Sequence, residues 1–266
     1  INVQIGRCYK ALERFEEALK YYLEAEKMEK NDAWLLSEIA WIYDGIGKYK
    51  EGLKYLKKVE KLGRDDCWFN TEYGFCLMRL KKYENAIEKY KHALELKEEL
   101  NEEIYLNCQI GFCYRILEKN EEALKYHLKA QELGRNDVWL NIEIGLCYKE
   151  LEKYEKALEH YLVAYEQDKE DTWLLSDIGW IYNELEKYED ALQFLLKAQE
   201  LGREDSWIYA EIGQCLGRLD KYEEGIENLK KALEILEKDK VYDNRNEKIF
   251  INSEIGWLYG KIEGSD

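Results

Sequence analysis

Five tryptophans set the frame of this chain. Trp34, Trp68, Trp139, Trp173 and Trp207 occupy one slot of a phrase that recurs on a 34-residue grid. Trp34-Leu-Leu-Ser-Glu-Ile-Ala-Trp-Ile-Tyr43 returns as Trp139-Leu-Asn-Ile-Glu-Ile-Gly-Leu-Cys-Tyr148 and as Trp173-Leu-Leu-Ser-Asp-Ile-Gly-Trp-Ile-Tyr182. Tyr105 and Phe250 hold the slot after insertions of three and nine residues, around Lys97–Glu103 and Glu237–Lys248. A period of this length means a solenoid, in which each unit buries its apolar face only against its neighbours. Such a fold has no single deep pocket and offers a long surface instead.

One unit, Ala33 to Asp66, shows how it is built. Trp34, Leu35, Ile39, Ile42, Tyr43 and Ile46 recur at spacings of three and four, the apolar face of a first helix. Asp32 stands where an N-cap is needed, and Asp66, Asp137, Asp171 and Asp205 repeat it. A Gly47-Lys48 turn follows, then a second helix with Tyr49, Leu53, Leu56, Val59 and Leu62 inward. Gly63 ends it, as Gly134 and Gly202 end later ones, because glycine tolerates the left-handed conformation of a helix stop. Glycine or alanine at Gly6, Ala40, Gly74, Gly111, Gly145, Gly179, Gly213 and Gly256 is expected to let two backbones approach, with Ala18, Ala86, Ala123, Ala157 and Ala191 opposite. Ala25, Ala93, Ala130, Ala164, Ala198 and Ala232 form a second small column facing the next unit.

These columns, with Tyr9, Tyr43, Tyr114, Tyr148, Tyr182 and Tyr259 three residues after the first-helix glycine or alanine, resemble the tetratricopeptide repeat family over essentially the whole chain. The resemblance implies an all-α, right-handed α-α superhelical solenoid of about seven full helix-turn-helix repeats plus a terminal helix. The repeats are placed at about 1–32, 33–66, 67–103, 104–137, 138–171, 172–205 and 206–248, with a half repeat at 249–266, in a single solenoid 1–266 read as a piece of a longer protein. Several positions depart from the family pattern. Arg64, Arg135, Arg203 or Lys169 stands where the family has proline, the tryptophan sits two residues earlier than the usual aromatic, and Gly52 and Gly225 replace an alanine. The phrases at Trp34 and Trp173, and the two insertions, each lie four repeats apart, which suggests duplication of a four-repeat block.

Composition narrows the function. A net charge of −16 opposes nucleic acid, whose phosphates require a basic stripe, and favours basic partners at long range. No apolar run is long enough for a membrane span. Of seven cysteines, Cys8, Cys76, Cys113, Cys147 and Cys215 share one slot with Ile42, Ile181 and Leu258, so they are expected to be buried, reduced packing residues of a cytoplasmic protein. His92, His127 and His160 lie in three different repeats with no metal-site spacing, and no phosphate loop or nucleophile–base pair can be assembled. The chain is read as non-catalytic, with no cofactor and no metal.

The family resemblance implies that first helices line a concave groove that contacts an extended peptide or a helix. Two variable columns one helical turn apart share that face. They place Trp41, Phe75, Phe112 and Trp180 beside Met78, Arg79, Arg115 and Lys149. Aromatic and arginine side chains are common interface anchors, and Arg79, Arg115 and Lys149 would make a basic spot in an acidic protein. The same aromatics could equally fill the inner wall of the superhelix. The tryptophan column reads as an inter-repeat wedge. The acidic column Glu38, Glu72, Glu143, Asp177, Glu211 and Glu254 reads either as paired within the chain, by an arginine of the preceding loop or by a helix N-terminus, or as a rail for a basic peptide. Where family members that clamp chaperone tails use Lys, Asn and Arg, this chain has Ser37, Thr71, Ser176 and the acidic column, so that clamp is not expected. The expected activity is binding of a protein or peptide in the groove. Alternatives are a sensor module serving an effector domain outside this chain, and a self-associating scaffold using the end helix Ile249–Gly260.

Overall fold

The computed structural model describes residues 1–29, 31–238 and 244–264. Among these residues the structure is seven helix pairs and a terminal helix, with no strand. Packing divides the chain into two compact units, Ile1–Arg135 and Asn136–Asp266. The first holds α1 (Asn2–Ala11), α2 (Phe15–Met28), α3 (Ala33–Gly45), α4 (Tyr49–Lys61), α5 (Cys67–Arg79), α6 (Tyr83–Leu96), α7 (Leu100–Ile116) and α8 (Asn120–Glu132). The second holds α9 (Val138–Glu150), α10 (Tyr154–Gln167), α11 (Thr172–Glu184), α12 (Tyr188–Glu200), α13 (Ser206–Arg218), α14 (Tyr222–Lys238) and α15 (Arg245–Glu263).

The helix ends follow from the residues expected to make them. Asp66, Asp137 and Asp205 each accept one backbone N–H, from Phe69, Leu140 and Ile208 at 2.8–2.9 Å. Asp32 and Asp171 each accept two, from Trp34 and Leu35 and from Trp173 and Leu174. The pair that caps alike is the pair whose phrases match four repeats apart. Gly63, Gly134 and Gly202 take φ of +83°, +102° and +98°. The three-residue insertion lengthens α7 at its start, where Glu102 accepts the N–H groups of Glu98 and Glu99 in a capping box. Of the second insertion, residues 239–243 lie outside the described residues.

The turn inside each hairpin was only partly legible. Gly47 has φ +75°, but the equivalent positions in the other six hairpins are Glu13, Lys81, Glu118, Glu152, Glu186 and Asp220, all left-handed at φ 54–60°. A six-to-one backbone bond closes each turn, for example Lys48 N–H to the Tyr43 carbonyl at 2.8 Å. That bond, with the packing of the helices it joins, offsets the roughly 1 kcal/mol cost of a left-handed non-glycine residue.

The small-residue column serves a different neighbour from the one expected. A Cβ at Gly6, Gly74 or Gly145 would press into the ring of Tyr22, Tyr90 or Tyr161, and one at Gly111 into His127. These rings lie one turn beyond the alanine and are fully buried. The glycines therefore make room chiefly for a large side chain of the second helix; close backbone approach adds to this at Gly179 and Gly213. Gly256 meets nothing within 4 Å, because no second helix packs on α15 among the described residues.

The cysteine column needs one correction. Cys76, Cys113, Cys147 and Cys215 are fully buried, but Cys8 is exposed. Cys76 shows what buries the others: its thiol donates to the Tyr49 carbonyl of the preceding hairpin at 3.1 Å, and among the described residues none packs on α1 in that way.

Candidate functional site on the first helices

A repeated local device organises the first-helix face. The acidic column and the aromatic three residues further on form two walls, and a cation from the preceding first helix fills the space between them. Lys10 donates to Glu38 at 2.7 Å while its ammonium lies 4.1 Å from the Trp41 ring centroid. In the second unit Lys149 donates to Asp177 at 2.7 Å and lies 5.0 Å from the Trp180 ring. Arg218 reaches Glu254 at 3.7 Å and stacks 4.4 Å from Trp257. The first two sockets match further: Phe15 meets Trp41 edge-on at 5.6 Å, as Tyr154 meets Trp180. At Glu211, where the residue three further on is Gln214 and not an aromatic, the partner is neutral: Asn183 donates to Glu211 at 3.2 Å. The partner of Glu38, Asp177 and Glu211 is thus the residue 28 positions earlier on the previous first helix, and that of Glu254 is Arg218 on the previous first helix across the insertion; none is an arginine of the loop.

The α3–α5 junction breaks the rule. Glu72 and Phe75 supply the acid and the ring, but the cation position holds Asp44. Tyr22, whose hydroxyl also donates to Glu38 at 3.4 Å, is replaced at this junction by Leu56. Asp44 is 6% exposed, and neither carboxylate oxygen has a hydrogen-bond partner. The Cys76 thiol lies beside it and makes its 3.1 Å contact with the Tyr49 carbonyl. Burial pushes Asp44 up to about 7, with the Cys76 thiol opposing the rise and Glu72 adding to it; burial, with Lys10 favouring ionisation and Glu38 opposing it, pushes Glu72 up to about 7. Gly52 is explained here: a Cβ in its place would collide with Asp44 Oδ1.

The expected site residues fall as follows. In the first unit Trp41, Phe75, Met78, Phe112 and Arg115 are half-buried, and Arg79 is exposed. Arg79 donates to the Tyr49 hydroxyl at 3.0 Å, and Arg115 lies 5.4 Å from the Phe112 ring. Behind this face His127 is fully buried and pushed down to about 3, first by burial and then by Arg115 and Arg135, so it stays neutral. In the second unit Lys149 and Trp180 are engaged with each other and with Asp177. Ser37 and Ser176 are buried, each donating to the carbonyl four residues earlier.

The tryptophan column is not a buried wedge. Trp34, Trp68 and Trp173 are 39%, 36% and 68% exposed. Arginines cover them: Arg7 lies over Trp34, Arg64 over Trp68, and Arg203 over both Trp173 and Trp207 at 4.0 and 4.7 Å. Arg64 and Arg203 are the residues that replace the proline, and the N-cap carboxylates hold them, Asp66 at 2.7 Å and Asp205 at 2.8 Å. The recurring string Gly-Arg-x-Asp-x-Trp carried this signal in the sequence. Among the described residues no group of His, Cys, Asp and Glu is placed to hold a metal, and no helix is long and apolar enough to cross a membrane.

Comparison with known proteins agrees with the fold. The family model described as tetratricopeptide repeat matches residues 1–32, 69–100, 140–171, 174–205 and 208–239, more than half of the chain. No curated protein matches in sequence. Among solved structures the chain is similar to YrrB, described as a TPR protein with an unusual peptide-binding site: 23% identity, 68% of this chain and 92% of that one, TM-score 0.59. It is also similar to the C-terminal part of a TPR repeat-containing protein from Cytophaga hutchinsonii, with 15% identity, 90% and 96% coverage and a TM-score of 0.72. A tetratricopeptide repeat protein from Parabacteroides merdae gives 16% identity, 97% coverage of both chains and a TM-score of 0.62.

Proposed function

This chain belongs to the tetratricopeptide repeat family, and on that premise we propose that it is a non-catalytic scaffold that binds a peptide segment or partner protein along its first helices. The observation that carries the reading is the row of half-buried aromatic and sulfur side chains, Phe75, Met78 and Phe112, on the face of the first unit. Half-buried rings held by a rigid helix lose little freedom on binding and bury much area. Trp41, Arg79, Arg115, Lys149 and Trp180 belong to the same columns. Lys149, Trp180 and Trp41 are already engaged within the chain, and Arg115 lies over the Phe112 ring, so the weight of recognition falls on Phe75, Met78 and Phe112. The peptide-binding site described for YrrB supports the same use of the fold. Seven free thiols suit a reducing compartment, and we place the protein in the cytoplasm.

Peptide-phage selection on the folded chain tests this. Selected peptides should bind the native chain and lose at least about tenfold in affinity for a Phe75→Ala, Phe112→Ala, Arg115→Ala variant that still melts cooperatively. Equal affinity for the variant would remove this face from the account.

A second reading, self-association, has its own observation. α15 exposes Ile249 (67%), Phe250 (47%) and Tyr259 (44%). Sedimentation would show a concentration-dependent dimer abolished by Ile249→Glu if that helix pairs, and a monomer throughout if it does not.

A further inference from the structure

We propose that the α3–α5 junction is the point where a bound peptide inserts a lysine or arginine side chain, against Glu72 and over the ring of Phe75. The inference rests on the peptide-binding reading above and adds the chemistry of the ligand at one position. The molecule itself shows what fits such a place. Four acids of the column are followed three residues later by an aromatic: Glu38–Trp41, Glu72–Phe75, Asp177–Trp180 and Glu254–Trp257. Three of the four hold a cation of the chain between acid and ring, namely Lys10, Lys149 and Arg218. The fourth has the same walls and no cation, because Asp44 stands where Lys10 and Lys149 stand.

Three observations keep this from being an ordinary acidic patch. Asp44 is more than nine-tenths buried, within electrostatic reach of Glu72, and no basic side chain pairs with it, so the junction carries an acid where its counterparts carry a cation. Both in-chain donors that serve Glu38 are replaced, Lys10 by Asp44 and Tyr22 by Leu56. Glu72 has no hydrogen-bond or ion-pair partner among the described residues; the nearby Lys10, which favours its ionisation, is spent on Glu38. Gly52, where five other hairpins have alanine, leaves room for Asp44 in this position. A net charge of −16 draws a basic segment to the chain at long range, and the junction gives it a specific seat. Phe75 contributes by cation–π attraction, as Trp41 does for Lys10.

The test uses a positional-scanning library of short fluorescent peptides, each pool with one residue type fixed at one position, and polarisation as the readout on the full chain. Pools fixed as lysine or arginine at one position should bind about tenfold tighter than the matching alanine pool. That preference should fall below about twofold in Glu72→Gln and in Asp44→Lys, and persist in the control Glu211→Gln. Asp44→Lys supplies the cation from within, so it should also melt higher than the native chain; Glu72→Gln keeps the test valid if Asp44→Lys folds poorly. Binding without a basic preference, or a basic preference that survives Glu72→Gln, overturns this inference and leaves the peptide-binding reading intact. Absence of binding by every pool overturns both.

Discussion

The α1–α3 and α3–α5 junctions are built from the same repeat and reach opposite electrostatic states. At the first, Lys10 and Tyr22 satisfy Glu38, and Trp41 covers the ammonium. At the second, one substitution pattern, Asp44 for lysine and Leu56 for tyrosine, removes the lysine and tyrosine donors that serve Glu38 and leaves two carboxylates near one another. The difference teaches that stacking tolerates a local charge defect as long as small residues and buried apolar neighbours carry the packing. Ile42, Leu56, Cys76 and Phe69 around the defect are all buried at 1% or less. A repeat protein can therefore keep one seat unsatisfied for a ligand while its neighbours are closed internally.

The contrast can be broken most sharply at Gly52. Gly52→Ala should destabilise the chain by about 3 kcal/mol, because the new Cβ meets the buried Asp44 carboxylate. In an Asp44→Ala background the same change should be neutral or stabilise by up to about 1 kcal/mol, since alanine is then the better helix former. A denaturant double-mutant cycle reads the coupling directly.

The pH response comes next. Asp44 and Glu72, both held up to about 7 first by burial, keep their protons in the folded chain where the unfolded chain has lost them. Such groups favour folding below the unfolded carboxylate range, near 4, and lose that contribution as pH rises through about 7. Stability should therefore rise as pH falls from 8 towards 5.5, by about 2 kcal/mol from the buried Asp44 and by less from the half-buried Glu72, which solvent screens. Glu211 in the second unit, also raised to about 7 by burial, adds in the same direction. Asp44→Asn should raise the melting temperature at pH 8 and flatten the profile, whereas an unchanged slope would place the titration elsewhere.

Removing the cations sharpens the comparison from the other side. Lys10→Met or Lys149→Met should cost about 1–2 kcal/mol at pH 8, because each takes the ammonium from a buried or half-buried carboxylate. Thermal melts of the two variants should agree closely, as expected of duplicated sockets. The smallest effect is a control: Gly63→Ala, at φ +83° with open space around it, should cost about 1 kcal/mol and add independently to Asp44→Asn.

Much of this was legible in the residues. The Asp caps, the glycine stops and the paired helices follow from local preferences, and each formed where its residues stand. The Gly-Arg-x-Asp-x-Trp string and the 28-residue offset of the sockets were equally on the page, but they describe contacts between repeats, and a reading of one repeat at a time passes over them. Cys8 and Gly256 show the same limit. Their columns predict burial and close packing, yet the hairpins that would supply these are absent beside α1 and α15 among the described residues. The left-handed Glu118 and Glu152 were missed because the compensating six-to-one bond belongs to the hairpin, not to the residue. The role of Gly52 needed the position of a buried carboxylate eight residues earlier, which no propensity encodes.

The most direct test of the account is a crystal structure of the chain with a phage-selected peptide bound. The account predicts the peptide along the first helices of residues 1–135, with a lysine or arginine nitrogen within hydrogen-bond distance of Glu72 and over the Phe75 ring. A peptide seated elsewhere, or one that places an apolar or acidic side chain at Glu72, would contradict it.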